Sequence, residues 1–82
     1  MVFVYVIKCQ SSGKYYAGIT THPQRRVQEH NRGKSKFTSG YGPWVIIYCE
    51  EHADWEEARK REKYFKTGAG RRFIAKIEDG QV

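Results

Sequence analysis

The sequence predicts an α+β domain, a small β-sheet with helices over its faces. Three observations lead there. Residues 3–18, FVYVIKCQSSGKYYAG, read as two strands joined by a polar turn. A continuously apolar third strand follows at Trp44–Glu50. Segments with helix-start signals and helical spacing lie between and after the strands.

The first strand covers Val2–Cys9. Its side chains alternate, with Val2, Val4 and Val6 on one face and Phe3, Tyr5 and Ile7 on the other. Both faces are apolar, so both need cover. Gln10-Ser11-Ser12-Gly13 forms the turn, with Gly13 as its permissive point, and Lys14–Ile19 forms the second strand. Thr21 with Gln24 fits a capping box, and Pro23 is tolerated in a first turn, where its missing N–H needs no partner. The helix runs from Pro23 to Asn31 and stops near Gly33; Val27 is its core contact, and Arg26 and His30, four apart, share a face.

Gly33–Pro43, GKSKFTSGYGP, is a loop with cations and aromatics interleaved. That mixture suits phosphates and bases, and equally a glycine-rich surface loop anchored by Phe37 and Tyr41. It lacks the spacing of a phosphate-binding P-loop. The Trp44–Glu50 strand is expected to be central or well covered. Asp54 followed by Glu57 opens a second helix running to about Thr67, with acidic residues at its start and Lys63 and Lys66 near its end. Gly68-Ala69-Gly70 breaks the chain. Arg71–Glu78 is a short third helix whose Phe73, Ile74 and Ile77 close the core, and residues 79–82 form a loose tail.

The chain has 82 residues, 39% hydrophobic and 29% charged, which fits a single ordinary globular domain over residues 1–82 and excludes disorder. No apolar run reaches the length of a membrane helix, and nothing resembles a secretion signal. Cys9 and Cys49 make neither a disulfide framework nor a complete metal site, which fits a reduced, intracellular protein. The net charge is +6, and the seven Lys or Arg of residues 1–49 face a single Glu, whereas residues 50–82 balance. Such a basic half favours a polyanionic partner, most simply a nucleic acid, against the plain alternative of a solvated basic face. The cations available for that contact are Lys8, Lys14, Arg25, Arg32, Lys34, Lys36 and Lys66.

No nucleophile is paired with a base. Glu62 stands in the apolar stripe of Ala58 and Phe65, where a carboxylate needs a partner: an arginine, water at the stripe's edge, or a divalent ion such as Mg²⁺ or Mn²⁺. Tyr5, Tyr16, Arg26, His30 and Glu62 together suit phosphodiester hydrolysis, with carboxylate for metal, arginine for phosphoryl charge, and tyrosine or histidine for water. A tyrosine with its ordinary pKa near 10 needs a nearby cation to act as a base. Taken singly, each tyrosine reads as a sheet residue before a catalytic one.

These residues fall in an ordered pattern. Phe3-Val4-Tyr5 precedes Tyr16-Ala17-Gly18, with the two tyrosines eleven residues apart; Arg26 and His30 follow, then EARKRE ending at Glu62. The set resembles the GIY-YIG nuclease superfamily, and KYYAG, RRVQEHNRG, PWVIIYCEE and KREKYFKTGAGR resemble its small stand-alone members and the nuclease domain of structure-selective endonucleases. The resemblance covers nearly the whole chain. It implies a three-stranded antiparallel sheet flanked by helices and a metal-dependent endonuclease acting on DNA, linked to repair or recombination. It implies that Tyr5 and Tyr16 position or activate water, that Arg26 stabilises the phosphate, that His30 assists proton transfer, and that Glu62 alone holds Mg²⁺ or Mn²⁺. Asn31 follows His30 and is expected to order the loop. Phe3 stands for glycine and Ala17 for isoleucine. Ile19 and Ile74 stand where some relatives carry lysine and asparagine, leaving Lys8, Lys14 or Lys66 to replace them.

The small size argues for structure-selective cutting or for targeting by another protein or domain. It would act in the cytoplasm or nucleoid of a bacterium, or in a nucleus. A nucleic-acid-binding module without meaningful catalysis is the main alternative, and a structural adaptor the third.

Overall fold

The computed structural model describes residues 1–33 and 43–78. Expectations about Lys34, Lys36, Phe37, Tyr41 and the 79–82 tail lie outside them. The elements run β1 (Val2–Cys9), β2 (Tyr15–Thr20), α1 (Pro23–Asn31), β3 (Trp44–His52), α2 (Trp55–Phe65) and α3 (Gly68–Glu78). The sheet is antiparallel throughout, in the order β2-β1-β3. The α+β class and the three-stranded sheet flanked by helices are as the sequence predicts.

β1 is the central strand, and its alternation divides the core in two. Val2, Val4 and Val6 pack with Ala17, Ala58, Phe65 and Ile74, on the side covered by α2 and α3. Tyr5, Ile7 and Cys9 pack with Val27 and Trp44 on the opposite side, under α1. Val4, Val6, Ile7 and Cys9 are all 0% exposed, and burying a side chain such as Ile7 contributes about 1.5–3 kcal/mol.

The structure corrects the placement of β3. It is an edge strand, two residues longer than expected, with Val45 and Cys49 exposed. Its apolar run is continuous because the pairing shifts between Val6 and Ile7: Val6 faces Tyr48 while Ile7 faces Ile46. This irregularity lets Ile47 and Tyr48 both serve the α2–α3 side while Ile46 serves the α1 side.

Helix ends differ from the expected ones for identifiable reasons. α1 starts on Pro23 as expected, but its N-cap is His22, whose side chain makes no capping bond, so Thr21 and Gln24 form no capping box. Asp54 does cap α2, accepting from the Glu57 N–H at 2.9 Å. α2 stops at Phe65, short of Thr67, because the Thr67 hydroxyl accepts from the Gly70 N–H at 3.2 Å and so caps α3. α3 thus begins at Gly68 and absorbs the glycines that the sequence suggested would break the chain.

Polar contacts tie these pieces together. Asn31 clamps Trp44, its Nδ2 donating to the Trp44 carbonyl at 3.0 Å and its Oδ1 accepting the Trp44 N–H at 2.6 Å. It thereby joins the end of α1 to the start of β3. Arg61 donates to Glu50 Oε2 at 2.9 Å and lies over the rings of Tyr64, Phe65 and Phe73 at 4.7–5.1 Å. Glu78 accepts from Lys8 at 2.7 Å and from the Tyr15 hydroxyl, fixing α3 to the hairpin.

Candidate functional site

The site forms on the α1 side of the sheet because of register. Tyr5 pairs with Gly18, and Tyr16 lies two residues along β2, opposite Ile7. The two tyrosines are therefore diagonal neighbours, with ring centroids 6.4 Å apart. α1 lays His30 over both: its ring is 5.9 Å from Tyr5 and 4.9 Å from Tyr16. The Tyr5 hydroxyl and His30 Nε2 are hydrogen-bonded at 2.9 Å, and both side chains are buried, at 1% and 0% exposure.

Arg26 comes from the same helix face one turn earlier. It donates to Glu29 Oε1 at 3.0 Å, and its positive charge acts on the Tyr5 hydroxyl. Glu62 stands on α2, and its negative charge also favours the protonated phenol of Tyr5. Its partner is Lys66 at 3.8 Å, and its side chain keeps 22% of its surface in water. The expected need of this carboxylate is thus met by a lysine and by solvent.

Burial governs the proton affinities here. It pushes the Tyr5 phenol up to about 12, with the neighbouring Tyr16 adding to the rise and Arg26 opposing it. Burial, with the Arg26 charge beside it, lowers His30 to about 4. At pH 7 the pair is therefore neutral, an uncharged phenol against an uncharged imidazole, with the Arg26 cation held beside them. The same cation has its proton affinity raised by Glu29 and Tyr5 against the opposing effect of burial.

The donor set bears on a metal. Among the described residues no group of three or more His, Cys, Asp or Glu converges. Glu62 is a single, partly solvated carboxylate. Magnesium keeps several waters and commonly takes one or two carboxylates together with substrate phosphate oxygens, so Glu62 fits an ion completed by water and phosphate but not an all-protein cage.

Tyr16 and His30 thus gather around Tyr5 with Arg26 beside them, whereas Glu62 stands on α2 and acts on Tyr5 through its charge. The expected nucleic-acid contacts scatter more. Arg25 flanks the cluster with Arg26 and Glu29 around a concavity of about 170 Å³. Lys14 and Lys66 line a groove of about 480 Å³ on the other side of β2. Lys8 is paired with Glu78, and Arg32 is exposed at the end of α1. The sequence reading missed Arg71, which joins Lys14 and Lys66 at that groove. Its cationic character was visible, but only the turn between α2 and α3 brings it to β2. No helix among the described residues is long and apolar enough to cross a membrane.

The comparisons bear on the family and the fold. The family model of the GIY-YIG catalytic domain matches residues 1–73. A UPF0213 protein of Halobacterium salinarum is 46% identical over 67 residues, covering 80% of this chain and 86% of that protein. One from Bacillus cereus is 44% identical over 63 residues, covering 76% of this chain; the match spans 65% of that relative's length. The solution NMR structure of a UPF0213 protein from Bacillus halodurans superposes with a TM-score of 0.55 at 30% identity, covering 94% of this chain and 85% of that one. The chain belongs to the GIY-YIG catalytic domain family.

Proposed function

We propose that this chain is a nucleic-acid-binding domain that seats a DNA phosphodiester beside Tyr5, Tyr16 and Arg26. One observation carries the reading: the Tyr5–His30 pair, hydrogen-bonded at 2.9 Å with the Tyr16 ring 4.9 Å from His30, lies beside the Arg26 cation that the same α1 face presents. A guanidinium offers phosphate oxygens a planar fork of donors. The surplus of cations in residues 1–49 extends the attraction beyond the site.

A second reading, hydrolysis of that phosphodiester, is supported by the partly solvated Glu62 carboxylate on α2, whose charge acts on the same tyrosine. Tyr5 would orient the attacking water, its phenol held in place by the hydrogen bond to the neutral His30 imidazole. Arg26 donates to the phosphoryl oxygens as their charge grows, and Tyr16, more exposed than Tyr5, positions the phosphate. Mg²⁺ or Mn²⁺ held by Glu62 would supply Lewis-acid stabilisation of the leaving oxygen. This reading makes the protein a structure-selective endonuclease of DNA repair or recombination, working inside the cell with a targeting protein or a further domain.

Labelled duplex, single-stranded, flap and branched DNA, with and without Mg²⁺ or Mn²⁺, separate the readings. Tight, salt-dependent binding that weakens in Arg26→Ala is expected from the binding proposal. Cutting by the native protein that stops in Glu62→Gln while binding persists establishes hydrolysis. Weak, salt-insensitive binding of every substrate overturns both and leaves a structural adaptor.

A further inference from the structure

The groove of about 480 Å³ between β2 and the α2–α3 corner lies outside the tyrosine cluster, yet it shares Tyr16 with it. Its floor is apolar, formed by Ala17, Phe65 and Ile74, and its rim is cationic, formed by Lys14, Lys66 and Arg71. Its volume lies within the roughly 300–1,000 Å³ typical of pockets for small organic ligands. Phosphates alone would need the rim but not the floor. A paired base could not reach the floor, because its faces are already stacked within the duplex. A base free of its partner can leave the stack and lay its face on apolar and aromatic side chains while its phosphates meet the rim.

We infer that this groove is a binding site for an unpaired nucleotide, its base on Ala17, Phe65 and Ile74 and its flanking phosphates on Lys14, Lys66 and Arg71. The inference rests on the reading that the Tyr5 site takes nucleic acid, and it supplies that reading with a substrate feature. Two further contacts join groove and site. Lys66 on the rim pairs with Glu62 at 3.8 Å, and Tyr16 on the groove wall lies 4.9 Å from His30. A strand continuing from the site along the open edge of β2 therefore enters the groove directly. A DNA junction with unpaired bases fills both places, whereas uninterrupted duplex fills only the first.

The test is a titration of isotope-labelled full chain with a short oligothymidylate and, separately, with a blunt duplex. The side chain of Arg71 is exposed, so the Arg71→Ala variant should fold. The oligothymidylate is expected to shift the Ala17 and Ile74 methyl resonances upfield by ring current. Its salt-dependence slope should fall in the variant by about 0.7 for the cation removed, while the duplex slope stays unchanged. Duplex and oligothymidylate losing equal affinity in the variant, or duplex binding with the groove methyls unmoved by the oligothymidylate, overturns the groove and leaves the proposed function standing. No binding of either by the native protein overturns both.

Discussion

Tyr5 and Gly18 face each other across the β1–β2 ladder so closely that a Cβ on residue 18 would lie 2.6 Å from the Tyr5 hydroxyl and 2.8 Å from the ring carbon bearing it. The glycine is thus the space into which the tyrosine fits. The ring cannot swing aside freely, because it is buried and its hydroxyl is hydrogen-bonded to His30 at 2.9 Å. Gly18→Ala is expected to destabilise the fold by about 1–3 kcal/mol, the usual cost of overpacking. Urea unfolding checks it, and an unchanged midpoint would show that Tyr5 has room to move.

The Tyr5–His30 hydrogen bond has its own signature. Tyr5→Phe leaves the buried imidazole nitrogen short of a partner and should cost about 1–3 kcal/mol. Replacing His30 by Leu strands the phenol in the same way. Combining the two removes both polar groups, so the double variant should cost clearly less than the singles together. A double-mutant cycle measures the coupling, and additive losses would mean that the bond contributes nothing beyond packing.

Stability should also depend on pH through His30. Its folded pKa of about 4 lies below the unfolded value near 6.5, so the unfolded chain binds the extra proton first as pH falls. The stabilisation of the neutral form is complete above the unfolded pKa and is lost as pH drops through the folded one. Arg26 beside the ring opposes protonation and Glu29 favours it, with burial the larger effect. Between pH 7 and 4 native stability should fall by about 3 kcal/mol more than that of His30→Gln, which has no proton to gain. Parallel denaturation curves for the two proteins across that range would count against a suppressed His30.

Much of this organisation was legible in the residues. Strict alternation in Val2–Ile7 sorts side chains between two cores, and a spacing of four places Arg26 and His30 on one helix face. Local chemistry also identified Asp54 as a cap. What was not legible depends on distant partners. A continuous apolar run suits a central strand, and it suits equally an edge strand whose irregular pairing sends Ile46 one way and Ile47 with Tyr48 the other. Arg61 reads as one charge among several in α2, yet it spans Glu50 and three aromatic rings. The grouping of Glu62 with Tyr5 came from the family resemblance and not from periodicity, since the two residues stand far apart in the chain on different elements.

The α2–α3 corner offers the sharpest contrast between two neighbouring glycines. A Cβ on Gly70 would fall 2.5 Å from Phe65 Cα and 2.8 Å from the Tyr64 carbonyl carbon, and closer still to the Tyr64 oxygen. These are backbone atoms of α2, which cannot yield as a flexible side chain would. Gly70→Ala must push the helices apart, loosening Ile74 and Phe65 from their shared core, and is expected to cost about 3 kcal/mol or more. At Gly68 the nearest atom to an added Cβ is Arg72 Nη1 at 3.6 Å, an ordinary contact at the movable end of a side chain. Gly68→Ala should therefore stabilise the protein by about 0.5 kcal/mol, because alanine loses less backbone freedom on entering a helix. Thermal unfolding of the two variants side by side tests the pair. Equal shifts would mean that α3 does not sit against the α2 backbone at Gly70, and the groove floored by Phe65 and Ile74 would then lose its shape.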